Sequence, residues 1–149
     1  MSAPVNELLA ALQAAVMADA ALAAWIGADG FSDRRLRATR FPALSIGTVE
    51  ARDWSTGTET GFEIILKLEA WSERGRREAE DLAENVRRVA QGLDPALAPG
   101  MEPALASLRL VNMVHRRTVS RREAKTGLFV ANVTMRAVVD LRARGISRR

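Results

Sequence analysis

Between residues 62 and 93 the hydrophobic period changes once, and that change limits what the chain can become. From 62 to 70 it alternates. Phe62, Ile64, Leu66, Leu68 and Ala70 fall on one side, and Glu63, Ile65, Lys67, Glu69 and Trp71 on the other. A period of two is a strand with one buried face. Beyond Ser72 the apolar residues are Ala79, Leu82, Ala83, Val86, Ala90 and Leu93, three or four apart, which is one face of a helix. A strand therefore runs into a helix over 74–91, and the two apolar faces must bury each other. Ser72 is the expected N-cap, its hydroxyl accepting from first-turn amides.

The remaining elements are expected around this unit. Asn6 caps a first helix with Leu8, Leu9, Leu12, Ala15 and Val16 inward. Asp19 opens a short second helix carrying Leu22, Trp25 and Ile26, which Gly27 ends. Residues 28–42 read as an exposed loop. Strands follow at 43–52, 61–71, 108–119 and 128–141, the first two joined by a Ser/Thr/Gly connection and the last two by the charged turn SRREAKTG. Pro and Gly make 92–106 a loop. The fold class is α+β: a mostly antiparallel sheet of about four strands, as two hairpins, with helices on one face. Residues 1–141 form one domain, and 142–149 a basic, flexible tail.

With 149 residues, 48% of them hydrophobic, the chain supports a single core. Having no cysteine, it forms no disulfide and no thiolate metal site, which suits an intracellular life. No apolar run reaches the roughly 20 residues of a membrane span. No basic stretch precedes an apolar one at the N-terminus, so no signal peptide is expected.

The net charge of +4 is unevenly spread. Residues 1–108 sum to −5, residues 109–125 to +5, and residues 142–149 to +4. An acidic body with a basic hairpin and tail suits a charged partner or nucleic acid. Arg116, Arg117, Arg121, Arg122 and Lys125 are the basic candidates, without the interleaved aromatics that would stack bases. His115, the one histidine, lies mid-strand between no evident nucleophile and acid. The helix carboxylates alternate with arginines as an ion-pair face (Glu73 with Arg77, Arg77 with Asp81, Glu84 with Arg88). No glycine loop precedes a helix to hold phosphate. Nothing points to an enzyme, a cofactor or a metal. Trp25 and Trp71 read as core. Trp54, beside Asp53, Ser55 and Thr56, reads either as a core edge or as an interface anchor.

Several stretches carry a family resemblance: ADAALAAWIG (18–27), FPALSIG (41–47), the DWST turn (53–56) and the WS-x-x-G-x-x-E-A helix start (71–79). The chain resembles, over about 5–141, the tail terminator family, also called tail completion or tail-to-head joining proteins, of long-tailed phages and gene transfer agents. The resemblance implies a homohexameric ring in a virion or phage-like particle, assembled in the bacterial cytoplasm. Its partners would be the major tail tube protein and a head–tail connector or stopper. DNA would cross its channel without sequence-specific binding, and no membrane is involved. The rival reading is a basic single-domain nucleic-acid-binding protein. Asp53, Trp54, Ser55, Thr56, Arg116, Arg117, Arg121, Arg122 and Lys125 are the expected subunit or ring contacts.

Overall fold

The structure is a computed structural model that describes residues 3–33, 40–97 and 105–141. The expected flexible tail, 142–149, lies outside the described residues.

Helix α1 spans Pro4–Ala18, and Leu8, Leu12 and Val16 are buried at four-residue spacing. Proline occupies its first turn, where a missing N–H costs nothing. Asn6 is therefore not the cap; it is exposed, one position inside the helix from Val5. Asp19 does cap α2 (Ala20–Ile26), its carboxylate accepting from Leu22 N–H at 3.0 Å. Gly27 ends α2 at φ 83°, a conformation a side chain would strain. No single helix among the described residues is long and apolar enough to cross a membrane.

The loop expected at 28–42 contains a strand instead. β1, Phe31–Ser32, pairs in parallel with Leu44 and Ser45 of β2 (Ala43–Asp53). Gly30 turns the chain tightly under α2, where a Cβ would stand 2.2 Å from the Ile26 carbonyl oxygen. Its own carbonyl accepts from Leu44 N–H at 2.6 Å, and Phe31 is buried. Two residues are too short for a periodicity to reveal.

β3 is Gly61–Ser72, β4 is Leu108–Arg122 and β5 is Phe129–Leu141. The sheet order is β1-β2-β3-β5-β4, with β2–β3, β3–β5 and β5–β4 antiparallel. Both expected hairpins are present, so the sheet is five-stranded and mixed only through β1. Helix α3 (Arg76–Gln91) lays Ala79, Leu82, Ala83, Val86 and Ala90 against Ile64, Leu66 and Leu68 of β3 and Val133, Met135 and Ala137 of β5. Small alanines let helix and sheet approach closely.

Ser72 ends β3 and does not cap α3, whose N-cap is Gly75. Its hydroxyl instead closes the turn, accepting from Arg74 N–H (3.0 Å) and Gly75 N–H (3.1 Å) and donating to Glu78 (2.7 Å). Two buried acids tie the layers together. Glu7 of α1 accepts from the N–H and hydroxyl of Ser107, just before β4. Asp94 accepts from Met113 N–H at 3.0 Å, beside a bulge of β4.

Candidate assembly surfaces

The helices cover one face of the sheet. The other face carries Glu63, Ile65, Lys67 and Glu69 from β3, and Asn132, Thr134, Arg136 and Asp140 from β5. Trp71 is buried on this open side, not in the main core. It packs with Leu128, Val130 and Phe41, and its indole N–H donates to Ser45 at 2.9 Å. Trp25 is half-buried against the main core.

The connection at 54–60 folds on itself. Asp53 accepts from Ser55 N–H (2.8 Å), Ser55 Oγ accepts from Gly61 N–H (3.2 Å) and Thr56 Oγ1 accepts from Glu59 N–H (3.1 Å). The bonds from Ser55 hold the Asp53 carboxyl below its usual value. Trp54 is no core edge, being 46% exposed. Two guanidinium groups lie over its ring, Arg52 at 5.2 Å and Arg136 at 5.3 Å from the centroid. Cations over an indole face are attracted by its quadrupole. Glu63 holds both arginines in place, accepting from Arg52 Nε at 2.5 Å and Arg136 Nε at 2.6 Å. The bond from Arg136 foremost, and that from Arg52 with their positive charge, hold its carboxyl below the usual range.

Arg52, Glu63 and Arg136 were not among the sequence candidates. Closing the hairpin sets Arg52 directly opposite Glu63, a signal readable from turn length alone. Arg136 arrives from the second hairpin, which local sequence does not align with the first.

The basic hairpin is longer and tighter than expected. β4 runs on through Arg121 and Arg122, which pair with Val130 and Phe129. The turn is closed by Glu123 N–H to the Leu128 carbonyl (2.7 Å) and Gly127 N–H to the Glu123 carbonyl (2.8 Å). Arg117 and Arg121 lie on the open face, Arg122 on the helix side, Arg116 at a bulge and Lys125 in the turn. All five are exposed. They belong to one hairpin but do not form a single patch. On the helix side, Arg76 of α3 donates to the Ser120 carbonyl (3.0 Å) and hydroxyl (2.9 Å), bracing the hairpin.

The two turns lie at opposite ends of the sheet, with Arg116 and Arg117 nearer its middle. Gly61 pairs with Asp140 at one end, while Ser72 pairs with Phe129, itself opposite Arg122, at the other. The β3 strand between them spans roughly 36–40 Å.

His115 faces α3 and bonds Thr118 at 2.9 Å. Among the described residues no group of three His, Cys, Asp or Glu is placed to hold a metal ion. On α3, Glu84 binds Arg87 (2.6 Å), three residues on, and not Arg88, which reaches Asp19 at 3.4 Å. This leaves an ion-pair surface in a different register from the expected one.

A family profile described as "Tail completion protein gp17" matches residues 10–140. The chain belongs to this family. It is a structural tail protein of a phage or phage-like particle and not an enzyme. A chain from a structure titled "Virion of native gene transfer agent (GTA) particle" superposes with a TM-score of 0.78 at 25% identity. The match covers 94% of this chain and 99% of that one. No curated protein matches. Family and fold agree with the resemblance carried by the DWST turn and the WS-x-x-G-x-x-E-A helix start.

Proposed function

We propose that this family member acts as a tail terminator. It closes into a homohexameric ring on the last ring of major tail tube protein and stops tube growth. Its other face receives the head–tail connector or stopper, and DNA passes through without being read. The observation that carries this reading is the near-complete mutual coverage with a chain of a gene transfer agent virion.

The opposed placement of the two hairpin regions supports two distinct docking faces. Asp53, Trp54, Ser55 and Thr56 serve one, and Arg116, Arg117, Arg121, Arg122 and Lys125 the other. A half-exposed tryptophan held by two arginines is a preorganised anchor. The arginines of the basic hairpin are exposed and spread over both faces, so they act through charge and not through a base-reading surface.

Deleting the gene tests the reading. Tails of uncontrolled length and heads without tails are expected, with both restored by the wild-type chain. Normal tails and joined heads in the deletion would refute it. Tight binding of duplex DNA by the isolated chain, with a steep salt slope, would favour the nucleic-acid-binding reading instead.

A further inference from the structure

The sheet has two free edges among the described residues. β4 pairs only with β5, and β1 covers β2 only at Leu44 and Ser45. Bulges interrupt both edges, between Ile46 and Val49 on β2, and between Leu110 and Asn112 and between His115 and Arg117 on β4. One regular run remains free on each: 49–53 on β2 and 117–122 on β4. Such runs present N–H and C=O groups to a further strand, the Ser120 carbonyl excepted in that it already accepts from Arg76 and keeps one lone pair for another donor. Neither contains proline.

The two runs differ in charge. Residues 117–122 carry Arg117, Arg121 and Arg122, together with Val119, which is 49% exposed. Residues 49–53 carry Glu50 and Asp53, and their one cation, Arg52, is already bound to Glu63.

We propose that copies of the chain join edge to edge, residues 117–122 of one copy pairing with residues 49–53 of the next. The ring wall is then one continuous sheet. This rests on the ring reading given above and specifies its subunit contact. The direction follows from the topology: each main strand is antiparallel to its neighbour, so a β2 that continues the sheet beyond β4 is antiparallel to it.

The offset between the runs fits closure. Residues 49–53 lie level with Leu66 to Phe62 of β3. Residues 117–122, through Thr134 to Phe129 of β5, lie level with Lys67 to Ser72. Their centres are about five and a half residues apart, roughly 18 Å along the strands. Four strands span roughly 19 Å across. Setting Val119 opposite Glu50, within these runs and on the shared open face, uses four residues of that offset, roughly 13 Å, and tilts the strands by about 35°, at the lower end of the ~35–45° of closed barrels. Pairing without offset would leave the strands upright, a geometry that closed sheets do not adopt.

The native chain has no cysteine, so crosslinking is clean. Val119 and Glu50 are exposed and share the open face, and Cα atoms of directly paired residues lie within disulfide reach. With tail tubes present, the V119C/E50C chain is expected to oxidise to a ladder of covalent multimers, and either single-cysteine chain is not. Independently, R117E/R121E should lower ring formation at least tenfold, and adding E50R to that chain should restore it. Melting of each free variant provides the folding control. Wild-type rings without a ladder, together with R117E/R121E assembling normally, would overturn the edge contact and leave the ring reading standing. Absence of any wild-type ring, free or on tubes, would overturn both.

Discussion

The Arg136 guanidinium lies over the Trp54 ring, 5.3 Å from its centroid. Arg136 stands on β5, at the centre of the sheet, and is itself held by Glu63 of β3. An exposed indole in a surface turn is thus oriented by side chains of two interior strands. Ordering of the anchor precedes binding, so less entropy is lost on assembly.

Trp54→Ala should therefore separate folding from assembly. We expect a stability loss within about 1 kcal/mol, since the ring is half-exposed and its cation contacts are modest. Loss of binding to its neighbours should reach about 2 kcal/mol or more, as for interface anchors. Thermal melts and tube-binding titrations measure the two, and equal small effects on both would make Trp54 an ordinary surface residue.

The carboxyls of Glu63 and Glu7 both sit below the usual 4.5, through bonds from Arg136 and Ser107 respectively. A lowered folded-state value stabilises the protein above 4.5 and withdraws that support as pH falls through the folded value. The melting temperature should fall below about pH 4.5, and less steeply in Glu63→Gln than in the wild type. Indole fluorescence over the same range should report release of the two arginines from Trp54.

Leu82 is fully buried between α3 and the sheet. Leu82→Ala should cost about 2–5 kcal/mol. Leu82→Asp puts an unpaired charge in the core and should abolish soluble folding. Wild-type melting of the aspartate variant would refute the packing.

Glu7→Ala removes the acceptor of both Ser107 bonds, which tie α1 to the start of β4. The expected loss is about 1–3 kcal/mol. Glu7→Gln, which keeps an acceptor, should lose less. Denaturant midpoints of the two variants decide this.

Charge reversal at Arg121 and Arg122 should leave the fold intact, within about 0.5 kcal/mol, because both side chains are exposed. Particle yield and tail-length distribution should nonetheless worsen, since single exposed pairs contribute only about 0.2–1 kcal/mol but are repeated around a ring. Normal particles would show the hairpin to be merely solvated.

Deuterium exchange probes the two hairpin regions together. Slower exchange is expected at 53–60 and at 116–127 in assembled tails than in the free chain. Unchanged exchange in both would exclude them from the contacts.

Long periodic segments were legible from sequence. Alternation from Phe62 to Ala70 and the three-four spacing from Ala79 to Ala90 yielded β3, α3 and their shared core, because side-chain direction there follows backbone period alone. The antiparallel hairpins were legible from the same alternation and from the turn residues between the strands, whereas the internal bonds of the 53–60 connection were not. The caps were less so: Pro4 displaced Asn6, and Ser72 closed a turn ahead of α3, since a hydroxyl serves whichever free amides the backbone brings near it.

By itself, then, the sequence determined the layers, the apolar faces, the basic character of the last hairpin and the family. Tertiary structure alone decided the rest. It added β1 to β2, a pairing set by Gly30 and Phe31 and not by any repeat. It put β5 between β3 and β4, which carried Arg136 to Glu63 and Trp54. It also sent the Trp54 turn and the basic turn to opposite ends of the sheet. The physical reason is that strand order and register are settled by burying all the apolar faces at once, a global condition that no local stretch encodes.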